Sequence, residues 1–316
     1  MLGEFELIRK ITKSLKLPSS VLIGPGDDCA VVRLCNKKRA RQASSLHLLT
    51  TDMLIEGKHF RRDWMTSREI GEKAMRVNLS DIAAMGGKPL FALVSVGLPK
   101  SFRVSEAKEL FLGLRKAAEK SRTAIVGGDT NRADRLTVNV AIVGEAGRFL
   151  TRSGAKVGDA IYVTGTLGDS VLGLAALRKK KKKGYEFFIR KHFCPPDRLS
   201  VGLKLAANRQ VHSLIDLSDG LAGDLEHLLK ASRVGADIWR DKIPSSPGFI
   251  RKAEGLGLDP EKLQLTGGED YELLFTASAH VKIPPKINGA SVTRIGSILP
   301  GKSGNSLKGL TGFRHF

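Results

Sequence analysis

The sequence predicts an α/β protein with mixed α+β sheets, divided into two domains over residues 1–149 and 150–316. Three observations point there. The chain has 316 residues, 41% of them hydrophobic, enough for two cores of ordinary size. Helical and strand periodicities alternate along it. After Phe149 the stretch TRSGAKVGDAIYVTG, Thr151 to Gly165, starts afresh with a turn rich in Gly and Lys and then an apolar strand.

In chain order, the first clear helix covers about Ser67 to Met85, where Gly86-Gly87 stops it. ALVSVGL, Ala92 to Leu98, reads as a strand. SEAKELFLGLRKAAEKS reads as a helix with Ser105 as a possible cap and Leu110, Leu114 and Ala117 along one stripe. LTVNVAIVGEA, Leu136 to Ala146, alternates as a strand with Leu136, Val138, Val140 and Ile142 on one face. The second half supplies the strand AIYVTG and a helix after Gly168. A further helix carries Leu221, Leu225, Leu228 and Leu229, and YELLFTA follows as a strand. DKIPSSPG, Asp241 to Gly248, reads as a loop.

Bulk chemistry excludes several classes. No apolar run reaches the roughly 18 residues of a membrane span, and the N-terminal MLGEFELIRKITKSLKL mixes charge with apolar residues, unlike a signal peptide. A cytoplasmic protein without a membrane partner is expected. Cys29, Cys35 and Cys194 form no C-x-x-C pair, so reduced thiols are expected rather than a zinc knuckle or a disulfide framework. The net charge of +20 would attract any polyanion. With two Trp, three Tyr and no recognisable base-reading motif, however, no specific nucleic-acid partner is expected. The run RKKKKKG, Arg178 to Gly184, reads as a helix end followed by a solvated loop. GSILPGKS, Gly296 to Ser303, matches the P-loop pattern letter for letter. The glycine-rich GNSLKGLTGF that follows cannot carry the helix a P-loop needs, so the match reads as a turn between short strands.

The acids stand out in so basic a chain. GPGDDCAVV puts Asp27 and Asp28 between a Gly-Pro-Gly turn and a strand, and LLTTDM puts Asp52 at a strand end beside Thr50 and Thr51. VNLSDIAAMGG carries Asp81 on a helix, and AIVGGDTNR carries Asp129 on a Gly-rich turn. LIDLSDGL supplies Asp216, Ser218 and Asp219 at a strand-to-helix junction, and GGEDYELLF supplies Glu269 and Asp270. Singly, these are ordinary: Asp219 would be a credible helix cap, and Asp after Gly is common turn chemistry. Two carboxylates about 4 Å apart repel by roughly 4 kcal/mol at an effective dielectric of 20, so a converging set needs cations. Hard oxygen ligands of this kind suit Mg²⁺ bridging to phosphate.

In this order, GPGDDCA, TTDMLIEGKHF, NLSDIAAMGG, GGDT, TRSGAKVGDAIYVTGTLGDS, DLSDGLAGDL and GGEDYELLF resemble the thiamine-monophosphate kinase family over essentially the whole chain. That family is related to aminoimidazole-ribonucleotide synthetase, selenophosphate synthetase and a hydrogenase maturation factor. The resemblance implies two α/β domains, a homodimer whose N-terminal strands form a barrel across the two-fold axis, and the reaction ATP + thiamine phosphate → ADP + thiamine diphosphate. Carried over by motif, it implies that Asp28, Thr50, Thr51, Asp52, Asp81, Asp129, Asp216 and Asp219 hold several Mg²⁺ ions. Gly128, Asp129, Arg152 and Ser218 would contact ATP, and His59, Glu269 and Phe313 would meet thiamine phosphate. The acceptor is already an ionised phosphate, so no catalytic base is assigned. The insertion-like CNKKRARQASS and the lysine run lie outside these motifs. The alternatives are another ATP-dependent enzyme of the same superfamily, or a basic nucleic-acid-binding protein on the same fold. A reactive N-terminal Cys or a C-terminal Cys would favour particular superfamily members, whereas this chain ends FRHF.

Overall fold

The structure, a computed structural model, describes residues 4–34, 45–301, 304–307 and 309–310. Cys35, most of the insertion-like segment, Lys302 and Phe313 therefore lie outside the described residues. After helix α1 (Glu4–Thr12), the first sheet contains β1 (Val21–Ile23), β2 (Ala30–Leu34), β3 (Ser45–Ile55), β4 (Lys88–Leu98), β5 (Ala124–Arg132) and β6 (Thr137–Ala146) in the order β1-β2-β3-β6-β4-β5. The sheet has open edges and does not close on itself. Only β4 and β5 pair in parallel, joined by helix α3 (Val104–Lys120).

Helix α2 (Ser67–Ala84) connects β3 to β4 and packs on the inner face of this sheet, against β3, β6 and α3. It begins with a capping box: Glu69 N–H donates to the Thr66 hydroxyl, and the Thr66 N–H donates to the Glu69 carboxylate at 2.8 Å. Met85 caps its end before Gly86, as the Gly-Gly signal predicts. Close packing with α3 depends on two glycines, because a Cβ on Gly71 would lie 2.0 Å from the Leu110 carbonyl oxygen and one on Gly113 would lie 1.9 Å from that of Arg68. Leu110, Leu114 and Ala117 face the core, as do Leu136, Val138, Val140 and Ile142.

The second half starts with β7 (Ala160–Thr164), α4 (Asp169–Arg178), α5 (Glu186–Phe193) and α6 (Leu199–Ala207). It continues with β8 (Val211–Asp216), α7 (Leu221–Ser232), β9 (Val234–Ile238), a 3-10 turn at Arg240–Lys242, α8 (Phe249–Glu254) and α9 (Pro260–Thr266). The final strands are β10 (Leu273–Ala277), β11 (Lys286–Ile287) and β12 (Ala290–Pro300). Its sheet is antiparallel in the order β11-β12-β7-β10-β8, with β9 on the far side of β12. Every residue of β7 and β10 is buried, since both faces are covered. One continuous hydrophobic cluster runs from α2 and the first sheet into α4, α5 and α6, so α2 is the helix on which the two halves meet.

Four local expectations are corrected. Asp129 lies inside β5, paired with Ser95, because the backbone of its Gly-Gly stretch joins the ladder instead of turning. The β3 ladder continues past Asp52 to Ile55, so Asp52 is an interior strand residue. Ser105 is already helical; Arg103 is the N-cap, and its N–H donates to the Glu106 carboxylate at 2.9 Å. Asp219 does not cap α7. Gly220 occupies that position, and the buried Asp224 accepts the N–H groups of both Asp219 and Gly220 at 3.0 Å. The expected turn between short strands at the P-loop match is also corrected: Gly296 to Pro300 lie inside the single strand β12, paired with β9, and the Ile298 N–H donates to the Asp159 carbonyl.

Candidate active site

Three of the acids converge. Asp28 precedes β2, Asp81 comes from the last turn of α2, and Asp216 ends β8. Each offers a carboxylate oxygen within 4.8 Å of the other two. Three distant segments thus meet where α2 passes between the sheets. Thr50 donates its hydroxyl to Asp81, and Ser80 donates to Asp216 at 2.6 Å. The Asp52 N–H is held by the Asn78 side chain at 2.7 Å. Arg152, just after the first sheet, forms charge-assisted hydrogen bonds to Asp28 through Nε and Nη2.

The electrostatics show what the cluster lacks. Burial raises the Asp28 carboxyl, although Arg152 opposes the shift. Burial, followed by Asp52 and Asp216, pushes Asp81 well above its ordinary value. Asp216 rises to about 7 through burial and the nearby Asp28 charge, and Asp27 to about 7 through burial and Asp28. The buried Asp28 Oδ2 has no hydrogen-bond partner among the described residues. An unpartnered buried carboxylate oxygen beside two further carboxylates fits a hard divalent cation, whose charge would remove the repulsion that now favours protons.

A second group forms on the same helix. Lys73, 1% exposed, lies two turns before Asp81 and donates to Glu269 at 3.1 Å and to the His59 carbonyl at 3.3 Å. The His192 Nδ1 approaches the same Glu269 oxygen at 3.1 Å and the Ser170 hydroxyl at 3.1 Å. Burial alone would raise Glu269, but Lys73 and His192 hold its carboxyl well below the usual range. Burial and the Lys73 charge push His192 down. His59 Nδ1 accepts the Ile55 N–H at 3.0 Å, which assigns the ring proton of the neutral form to Nε2.

Glu269 and Tyr271 adopt φ of 66° and 50°, an unusual conformation for residues with a side chain. Their N–H groups donate to the Ser218 and Leu217 carbonyls at 2.7 and 2.8 Å. This ties the Glu269 loop to the segment carrying Asp216, Ser218 and Asp219. Tyr271 is buried, and its hydroxyl is pushed well up by burial and then by the charges of Glu269, Asp52, Asp216 and Asp81.

Other expected residues lie further out. Thr51 points to the opposite face of β3 from Thr50 and Asp52, with its hydroxyl 3.2 Å from Asn139 Oδ1. Gly128 and Asp129 lie on exposed β5, three strands from β3, or about 14 Å at the usual strand spacing. The Asp129 carboxylate accepts from the Thr130 N–H and the Asn131 amide. The sequence reading assigned no role to Lys73, Asn78, Ser80, His192 or Asp224. Its missed signal was the set of polar residues at Lys73, Asn78 and Ser80 within a helix that must bury its face.

This arrangement can be compared with known proteins. Residues 26–146 match the family model "AIR synthase related protein, N-terminal domain", and residues 156–302 match its C-terminal counterpart. Thiamine-monophosphate kinase of Aquifex aeolicus is 39% identical over 279 residues, covering 87% of this chain and 86% of that protein. This chain belongs to the thiamine-monophosphate kinase family. The Escherichia coli member is 39% identical over 289 residues, covering 87% of this chain and 82% of its own. Among solved family structures, AaThiL complexed with AMPPCP and TMP superposes with a TM-score of 0.87 at 35% identity, covering 100% of this chain and 97% of the other. The Aquifex aeolicus thiamine monophosphate kinase structure gives 0.81 at 33% identity over 95% and 94% of the two chains. The likeness to hydrogenase maturation protein HypE, at 21% identity and a TM-score of 0.66, concerns the fold.

Proposed function

We propose that this protein transfers the terminal phosphoryl group of ATP to the phosphate of thiamine phosphate, releasing ADP and thiamine diphosphate. The observation that carries this reading is the cluster of buried Asp28, half-buried Asp81 and buried Asp216, with an Asp28 oxygen unpartnered among the described residues. It is supported by overall similarity to a relative complexed with AMPPCP and TMP. These three acids, with Thr50, Asp52 and Asp219, would hold Mg²⁺ ions; Thr51, on the outer face of β3, and Asp129, three strands away on β5, stand apart from this cluster and are not kept in its ligand set. When bound, Mg²⁺ supplies charge neutralisation for phosphate oxygens.

The protein's own groups supply position. Arg152, a fixed cation already held by Asp28, stands with Gly128, Asp129 and Ser218 as the proposed ATP contacts. His59, Glu269 and Phe313 are the proposed contacts for thiamine phosphate, whose cationic thiazolium suits an acidic and aromatic setting. Buried Tyr271 and the closely packed α2 exclude water between the two ends.

The domain boundary in this reading falls between residues 149 and 150. The protein acts as a homodimer through the outer face of the first sheet, with the strands of two copies curving into one barrel. On that face Leu49, Val143 and Phe91 form one row across β3, β6 and β4, while Thr51, Ala141 and Leu93 form the next. Leu49, Phe91 and Leu93 are 39%, 48% and 48% exposed, so among the described residues this apolar surface is left open.

The test incubates the protein with MgATP and thiamine phosphate and measures thiamine diphosphate and ADP. Equimolar formation of both is expected, with a loss of at least about a hundredfold in Asp216→Asn. ATP hydrolysis without thiamine diphosphate, or an Asp216→Asn variant at the wild-type rate, would overturn the reading.

A further inference from the structure

Lys73 has no role in the reading above, yet it is among the largest fully buried side chains and is charged. A buried ammonium is strongly destabilising unless it is paired and hydrogen-bonded, so its retention calls for a specific partner set. Its contacts are the Glu269 carboxylate from the second half and the His59 carbonyl from the turn after β3. These are the described residues assigned to thiamine phosphate, and they come from opposite halves of the molecule. Helix geometry places Lys73 about 12 Å along α2 from Asp81, which sets a fixed spacing between this group and the acid cluster.

We propose that Lys73 is a positioning residue for the acceptor end of the site, its ammonium tying the Glu269 carboxylate to the His59 backbone. This rests on the thiamine phosphate reading. Glu269 sits in a left-handed conformation and shares one oxygen with His192. Without Lys73 the carboxylate keeps His192 as its side-chain partner among the described residues, and the halves lose the Lys73–Glu269 ion pair at this point. The consequence falls on the acceptor, because Lys73 touches Glu269 and His59 directly, whereas among the proposed ATP contacts Ser218 adjoins this point through its backbone carbonyl, which accepts the Glu269 N–H and not the Lys73 ammonium.

The test compares wild type, Lys73→Met, Glu269→Gln and the double variant, measuring Michaelis constants for each substrate together with thermal melting. Lys73→Met is expected to raise KM for thiamine phosphate about tenfold and leave KM for ATP within about twofold. Replacing both partners leaves neither charge buried without the other, so the double variant keeps the fold even where Lys73→Met melts early. Its KM for thiamine phosphate should match that of Glu269→Gln alone, as expected when one residue acts through the other. An unchanged acceptor KM in folded Lys73→Met, or variant effects that simply multiply, would overturn the proposal. A wild-type protein that forms no thiamine diphosphate would overturn the underlying reading, and with it the acceptor end that Lys73 is said to position.

Discussion

At the scale of single residues, Asp216 and Asp27 show how burial makes the acid cluster retain protons. Both have folded-state values near 7 against an ordinary 3.8. The folded protein therefore binds these protons more tightly than the unfolded chain does. Their contribution to stability is present at low pH and is lost as pH rises from about 4 through about 7. In the proposed reading a cation would take the place of the protons, so Mg²⁺ should raise the melting temperature more at pH 8 than at pH 6. Selective binding to the folded state adds about 2.7 kcal/mol when the ion is a hundredfold above its Kd. Differential scanning calorimetry with Mg²⁺ and with EDTA at both pH values measures this; an equal shift at the two would contradict the cluster's role. The same carboxylates were visible in the sequence as acids beside glycines and strand ends. Their convergence was not, since residues 28, 81 and 216 come together only through tertiary packing.

At the scale of elements, α2 carries most of the site. Its stripe presents Lys73, Ser80 and Asp81 toward the second half, while Asn78 reaches Asp52 on β3. A helix that positions two groups must itself be immobile, and its packing on α3 at Gly71 and Gly113 provides this. Helix propensity alone favours Gly71→Ala by about 1 kcal/mol. The added methyl would overlap the Leu110 backbone at 2.0 Å, which cannot rotate away as a side chain can. Overpacking should win, and Gly71→Ala is expected to destabilise by about 1–3 kcal/mol, measurable by urea unfolding. A stabilised variant would refute the tight crossing. The long periodic elements were legible because each depends on its own pattern. The Ser105 and Asp219 caps were misread because the helices take their N-caps at Arg103 and Gly220, where Glu106 reaches back to the Arg103 N–H and Asp224 to those of Asp219 and Gly220, and a residue-type signal for a cap does not fix which position starts the helix.

At the scale of the whole molecule, the apolar outer face of the first sheet contrasts with a net charge of +20. Two such chains repel at long range, and burial of the face must outweigh a repulsion that salt screens. Leu93→Glu puts a charge in the middle of the face and should shift the protein from dimer to monomer by about tenfold or more in Kd, about 1.4 kcal/mol, read by analytical ultracentrifugation at several concentrations. A wild-type monomer at all concentrations, or an unchanged dimer in Leu93→Glu, would remove this face as the interface. Among the described residues no helix is long and apolar enough to cross a membrane.

The sequence by itself determined the class of fold, the long helices and strands, the failure of the P-loop match, and the family, because these depend on local periodicity and on ordered motifs along the chain. Only the tertiary structure decided which acids meet, that Thr51 and Thr50 point to opposite faces, and that Asp129 belongs to a strand. It also decided that Lys73 is a buried cation joining Glu269 to His59. A lysine in a helical pattern reads as a solvated charge. Its environment is set by residues 14 positions before it and 196 after it, and no local signal in the sequence carries that separation.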